Sequence, residues 1–334
     1  MKAIVTTTIN PPTPALLKFV EIGRRDDWTI IIVGDKKTPH EDYIKLAAAN
    51  GHVAYLSPTK QDSKYHELSE AIGWNCIQRR NLGLVEAYNM GAEIIATVDD
   101  DNIPFDNWGR APILALGKKP LVAVLNSPDI VFDPFQGTNE PELWHRGFPV
   151  QLLSGRSRAA YIGHEERPTC LVYADFWNGE PDVDAICRIA RGPFDCRFTH
   201  EPFAGTRPGP FNSQNTFLHR AVLPHYFLFP HIGRMDDIWA SYVVQRQFPG
   251  SVVYGTASVY QERNVHNFVK DLEAEMIGNK YTLELVNMLY GGEVADPDAW
   301  QGVLPQESRK AFALYKQALK TDLSTGNPQN GSEV

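Results

Sequence analysis

Cysteine is scarce in this chain. There are four among 334 residues, Cys76, Cys170, Cys187 and Cys196, and no two form a C-x-x-C pair. That spacing offers no zinc site and no disulfide framework, so the thiols are expected to be reduced and to serve packing. No G-x-G-x-x-G follows the first strand-like run, which excludes the usual dinucleotide pyrophosphate turn. No apolar run is long enough to span a bilayer, and the first residues, "MKAIVTTT", enter a strand-like pattern with no signal-peptide character. A cytoplasmic, reducing location and no integral membrane segment are therefore expected. Positive charge is also short: the net charge is −8. A broad basic surface is not expected, and nucleic acid is an unlikely partner, because phosphate-backbone binding needs clustered Lys and Arg. No internal repeat is visible.

What is present is an alternation of strands and helices. Residues 3–8 read as a strand, and Thr13-Pro14 reads as an N-cap followed by proline at the first helical position, with Leu16, Leu17 and Val20 facing inward. "WTIIIVGD" at 28–35 has the continuous apolar character of a strand covered on both faces. A helix over 39–50 with Gly51 at its C′ position, a strand at 52–56, helices near 64–73 and 82–92, and a strand at 94–98 complete the pattern. The expected class is α/β: a mostly parallel central sheet with helices on both faces, followed by C-terminal helices at 270–292 and 306–321. From about 126 to 215 the sequence is rich in Pro, Gly and aromatics, and longer loops with mixed or antiparallel strands are expected there. The organisation read from this is a ligand-binding domain over 1–270, with halves at about 1–125 and 126–270. A helical extension over 271–321 and a disordered tail over 322–334 follow.

The run "ATVDDDNIP", 96–104, places Asp99, Asp100 and Asp101 at the end of an apolar strand. Side chains alternate along an extended chain, so Asp99 and Asp101 share a face and Asp100 takes the other. Two carboxylates there make a hard-oxygen site for Mg²⁺ or Mn²⁺, whose remaining ligands commonly come from substrate phosphates. The competing reading is a solvated turn. Asp236-Asp237 precedes the apolar run "IWASYVV" and reads either as a favourably charged helix start or as a carboxylate pair facing an acceptor hydroxyl. Arg79-Arg80 reads either as a solvated helix start or, since positive charge is unfavourable there, as a place for a bound phosphate. Arg146, beside Gly147, suits a phosphate clamp or a structural ion pair. Asn212, Gln214 and Asn215 could bind sugar hydroxyls or hold a turn, and Trp239 could be core or a sugar-stacking wall.

The acidic run with this upstream topology resembles the nucleotide-sugar glycosyltransferases of the GT-A fold. "FDPF" (132–135), "HRGFP" (145–149), "NSQNTFLHR" (212–220) and "GRMDDIWAS" (233–241) resemble the reversibly glycosylated polypeptides, the plant UDP-arabinopyranose mutases. "IIIVGDKKTP", "RRNLGLVEAYNMGA" and "QERNVHN" look like the related STELLO-type glycosyltransferases. The resemblance covers about 1–275. It implies a metal-dependent glycosyltransferase with a nucleotide-diphosphate sugar donor, UDP-linked, and Mn²⁺ or Mg²⁺ as cofactor. By that resemblance Asp99, Asp100 and Asp101 match the metal-binding motif, with Asp99 and Asp101 as ligands and His266 as either a third ligand or a surface histidine. Thr6, Thr7, Thr8, Asp35, Lys36, Arg80, Asn81 and Arg146 fall on the donor side. Asp236, Asp237 and Trp239 match the block facing the acceptor. Two departures stand out. The arginine that becomes glycosylated in the mutases is Leu153 here, with Arg156 and Arg158 out of register, and a family histidine corresponds to Gln261. The alternatives are a pyranose–furanose mutase and a non-catalytic donor-binding scaffold. The acceptor (glycan, lipid or small molecule) and any oligomerisation are left open.

Overall fold

The computed structural model describes residues 1–261, 267–292 and 298–319. The first third of the chain winds β1 (Lys2–Thr8), α1 (Pro14–Asp26), β2 (Trp28–Gly34), α2 (His40–Ala49), β3 (Val53–Leu56), α3 (Pro58–Ile72), α4 (Arg80–Asn89) and β4 (Ile94–Val98). These strands pair parallel in the order β3-β2-β1-β4. The order reverses between β1 and β4, and such switch points open a crevice at the carboxyl ends of the strands. Thr8 and Asp99 stand at those two ends.

The rest of the chain extends the same sheet. It adds β5 (Asn102–Pro104), α5 (Arg110–Ala115), β6 (Leu121–Asn126), β7 (Ala160–Glu166), β8 (Val172–Gly179), α6 (Ala185–Arg191), β9 (Phe203–Gly205), β10 (Asn215–His219), α7 (Asp236–Gln247), β11 (Val252–Gln261), α8 (Phe268–Tyr290) and α9 (Gln306–Ala318). β10 runs antiparallel to both β4 and β8, β11 lies parallel to β8, and β6 is antiparallel to β7. The expected α/β class is observed, but the mostly parallel sheet is a property of the first four strands. Beyond β4 the pairing is mixed, because β10 enters from the opposite direction. This entry aligns Asn215 with Val98 and puts Ser213-Gln214 directly beside Asp99, whose N–H donates to the Gln214 carbonyl at 3.1 Å.

Local signals account for most of the first half. The Thr13 hydroxyl accepts from the Leu16 N–H at 3.1 Å and caps α1. Leu16 and Val20 are buried as expected, whereas Leu17 is 43% exposed. α3 starts at Pro58 behind a Ser57 cap, six residues before its expected start, and is interrupted at Tyr65 (φ −136°). α2 ends on an extended Asn50 rather than on a left-handed Gly51. The cysteines are free, and three of them are buried. α8 packs on α7, where the Trp239 Nε1–H donates to Thr282 Oγ1, and α9 is tied to the body by the Tyr315 hydroxyl on the Leu223 carbonyl. Among the described residues no helix is long and apolar enough to cross a membrane. The tail expected over 322–334 lies outside the described residues.

α4 lies close over β1 and β2 because Gly83 faces them: a Cβ there would sit 2.5 Å from Val5 Cγ1 and 2.8 Å from Val33 Cγ2. Gly83→Ala is expected to lose about 1–3 kcal/mol through overpacking, despite alanine's better helix propensity, as read by urea unfolding.

Candidate functional site

A cleft of about 310 Å³ opens at the carboxyl end of β4. Its charged lining is Asp99, Asp101, Asp182, Asp236 and Asp237, against Arg146 and Arg234. Ile77, Ser213, Gln214, Gly233 and Gln261 complete the wall. Among the described residues five carboxylates against two guanidiniums leave an acidic cleft, although the body around it is largely apolar core.

The elements deliver these groups from different parts of the chain. β4 ends in the acidic run. Asp99 and Asp101 line the cleft, while Asp100 turns away and accepts from the Thr8 hydroxyl and from Asn10 Nδ2 (3.0 Å). The Arg80 guanidinium, fully buried behind the cleft, reaches Asp99 Oδ1 at 2.6 Å and Ser213 Oγ at 2.9 Å. A left-handed Gly233 (φ 63°) makes the turn before α7, and a Cβ there would fall 2.0 Å from the Ala274 carbonyl oxygen. α7 then begins with Asp236 and Asp237 in its first turn, which the helix dipole favours.

Asp236 and Asp237 sit in different surroundings. Asp237 is braced on both oxygens: by Arg146 Nη2 at 3.2 Å, the Ser213 N–H at 2.8 Å and Ser213 Oγ at 3.0 Å. Among the described residues Asp236 has one side-chain donor, the neutral Gln78 amide at 2.8 Å. Burial, reinforced by the neighbouring Asp237 charge, pushes the Asp236 carboxyl up to about 7. Arg146 binds Asp182 through Nε (3.1 Å) and Nη2 (2.9 Å) and also donates to the Arg234 carbonyl. Next to it, burial pushes the His145 imidazole down to about 4, so it stays neutral and adds no charge to the network. Arg234 is held by Glu275 at 3.1 Å and Asp271 at 3.5 Å, both from α8.

Several residues expected at a binding surface have structural partners instead. Trp239 is fully buried and bonded to Thr282, so it cannot stack on a sugar. Asn215 is buried between Trp108 Nε1 (2.9 Å), the Phe176 carbonyl and Ser258. Asn81 bridges the Leu228 backbone through both amide atoms. Asn212 supports Asp182 at 2.9 Å rather than facing the cleft, which leaves Gln214 as the cleft-lining member of that polar run. Arg79 needs no phosphate: it is buried against Gln61, Ser69 and the Trp74 ring. The Arg146 guanidinium braces two aspartates, so it is not an open phosphate clamp. Thr6 is fully buried, and Thr7 bonds the Val33 carbonyl at 2.8 Å. The Thr8 carbonyl accepts from Thr38 at 2.6 Å, and Lys36 Nζ lies 5.0 Å over Trp74. Asp35 accepts from the N–H groups of Lys36, Asn75 and Cys76, which pins the loop that carries Ile77 and Gln78 to the cleft. His266 lies outside the described residues.

Asp182, Ser213 and Arg234 also line the cleft, though none was among the expected site residues. Asp182 follows the carboxyl end of β8, as Asp99 follows β4, and that shared position was a usable signal. Arg234 stands inside the "GRMDD" block. Ser213 shows nothing in sequence, since its role comes from strand pairing.

Among the described residues no three His, Cys, Asp or Glu side chains cluster as a ready metal site. The donor set still fits Mg²⁺ or Mn²⁺. These ions take one or two protein carboxylates and complete their shell with water and phosphate oxygens. Asp99 and Asp101 supply two carboxylates to one acidic cleft.

No protein-family model matches this chain, and no curated protein matches it. Solved structures similar to it include glucosyl-3-phosphoglycerate synthase from Mycobacterium tuberculosis in complex with Mn²⁺ and uridine-diphosphate-glucose. The TM-score is 0.45 at 10% identity, over 88% of this chain and 80% of that one. Another is S. aureus TarS 1–349 in complex with UDP-GlcNAc, with a TM-score of 0.46 at 12% identity, over 96% and 76% of the two chains. At these identities and TM-scores the likeness assigns neither a family nor an activity.

Arg146→Ala is expected to destabilise the protein by about 3–5 kcal/mol in denaturant unfolding, because it leaves two buried aspartates without their cation. Arg146→Lys should not restore it, since an ammonium cannot span both carboxylates. The raised Asp236 carboxyl sets a pH trend. A carboxyl whose folded pKa exceeds its unfolded value near 3.8 stabilises below that value, and the contribution is lost as pH rises toward 7. In metal-free buffer the stability difference, wild type minus Asp236→Asn, should therefore fall between pH 4 and 7 and level off above.

Proposed function

We propose that this chain is a divalent-metal-dependent glycosyltransferase that uses a nucleotide-diphosphate sugar, UDP-linked, with Asp99 and Asp101 on the donor side and Asp236 on the acceptor side. One observation carries the reading. Two carboxylates of the acidic run and the weakly held, raised Asp236 line the same cleft. An acidic cleft repels a diphosphate unless a cation intervenes, and the resemblance of the acidic run and the "GRMDDIWAS" block to nucleotide-sugar enzymes supports that ligand. When bound, Mn²⁺ or Mg²⁺ would neutralise the diphosphate and make it a better leaving group.

The chain's own residues divide the remaining work. Arg80 orients Asp99 from behind, so one carboxylate oxygen is fixed and the other remains for the cation. Thr8 and Asn10 hold Asp100 out of the cleft, and Lys36 with Trp74 borders the strand ends where a nucleoside would lie. Asp237, saturated by Arg146 and Ser213, acts as an anchor. Asp236 is the base. It takes the acceptor hydroxyl proton as the acceptor oxygen bonds to the anomeric carbon and the bond to the diphosphate oxygen breaks. A base in that place fits an in-line displacement with inversion. Gln214 and Arg234 border the acceptor space.

The mutase reading requires a self-glycosylated arginine. Leu153 stands at that position, and Arg156 is held by Asp133 and by the Leu143 and Pro141 carbonyls. A transferase is the better fit.

A thermal-shift screen of nucleotides and nucleotide sugars with Mn²⁺ or EDTA tests the donor site. A Mn²⁺-dependent shift with a uridine diphosphate sugar, abolished in Asp101→Asn, is the expected result. No shift with any nucleotide would overturn the reading and favour a scaffold. In the transfer assay Asp236→Asn should lower kcat by about 10²–10⁴-fold with little change in donor KM, and wild-type kcat should rise with pH along one acidic limb. An Asp236→Asn variant with full turnover would remove it from the base role.

A further inference from the structure

A second concavity lies at the opposite end of β11 from the cleft. It encloses about 120 Å³ and is lined by the loop 205–208, the end of α7 with the turn after it, and by Val252, Tyr254 and Tyr290. Among the described residues its charged side chains are Arg207 and Arg246, and no carboxylate lines it. Among the described residues neither arginine side chain forms an ion pair or hydrogen bond. A third arginine stands beside them. Arg167 Nη2 reaches the Gly205 carbonyl at 3.4 Å and lies next to Gly250, both part of the lining. Arg167 is only 14% exposed, and its one carboxylate neighbour among the described residues, Glu165, is 3.9 Å away and half exposed. Tyr254 is 3% exposed, and its hydroxyl has no hydrogen-bond partner among the described residues.

This arrangement runs against the rest of the molecule. In a chain of net charge −8, the cleft carries a surplus of carboxylates. Here two guanidiniums share a concavity with no acid among the described residues, and a third backs it. Uncompensated like charges repel, and an arrangement of this kind is relieved by an anion. Guanidinium forks match phosphate oxygens in two-point geometry, and the volume suits one phosphate group rather than a whole nucleotide. Tyr254 and Gln261 lie on the same strand, and at about 3.3 Å per residue the two sites are roughly 20–25 Å apart.

We propose that Arg207 and Arg246, backed by Arg167, form a binding site for a single phosphate group, separate from the acidic cleft. The phosphate is either that of a soluble phosphomonoester or that of an anionic lipid headgroup. The site does not depend on the reading of the cleft. Its strand is shared with the cleft, but its ligand is held by arginines alone and needs no metal.

Inorganic phosphate is the first probe, titrated in EDTA at constant ionic strength with wild type, Arg207→Ala/Arg246→Ala and Asp101→Asn. Both arginines are exposed, so the double variant should keep the wild-type Tm without ligand, which also checks its folding. The expected result is a saturable rise in Tm for wild type and Asp101→Asn, with at least a tenfold weaker apparent affinity in the double variant. Flotation with phosphatidic acid vesicles against phosphatidylcholine vesicles separates the two sources. Arginine-dependent flotation assigns a lipid headgroup, and a phosphate shift without flotation assigns a soluble phosphomonoester. An equal shift in wild type and double variant, or neither a shift nor flotation, would overturn the site.

Discussion

Arg146 brings one guanidinium into contact with two buried aspartates, Asp182 after β8 and Asp237 at the start of α7. Charges removed from water are costly unless paired, so these three groups stand or fall together. Through Asp237 the network reaches Ser213, and through Ser213 it reaches Arg80 and Asp99. Through Arg234 it reaches α8. Strand ends from both halves of the sheet and the first turn of α7 are thus locked around one acidic cleft by a continuous chain of charge-assisted hydrogen bonds.

That locking gives two adjacent carboxylates different surroundings. Asp237 is held by a cation and two donors from Ser213, whereas the side-chain donor to Asp236 among the described residues is the neutral Gln78 amide. Low dielectric raises the basicity of the less satisfied one. A pair of identical residues in sequence becomes one ion-paired carboxylate and one of raised pKa because the helix start turns Asp237 toward Arg146 and leaves Asp236 on the Gln78 amide. The same contrast appears at β4, where Asp99 is clamped by Arg80 and Asp100 is turned onto Thr8 and Asn10.

Much of the first third of the chain was legible in sequence. Caps such as Thr13 and apolar runs such as 28–34 are local signals, and they placed the strands whose carboxyl ends meet at the switch point. The acidic run was visible for the same reason, since three carboxylates after a buried strand contradict its surroundings. The second half was less legible. Its short strands pair across long sequence separations, and nothing local in "NSQNTF" says that Asn215 is a core amide while Gln214 borders the cleft. Trp239 shows the same limit: a tryptophan that could line a site is buried by α8, forty residues further on.

The sequence alone determined the α/β alternation, the scarcity of positive charge and the acidic strand end, because each follows from composition or from contacts within a few residues. Only the tertiary structure decided which carboxylates share a cleft, which arginines neutralise them and which are left without a partner. Those outcomes depend on long-range strand pairing and on the desolvation of charges, and neither is encoded in the neighbours of any one residue.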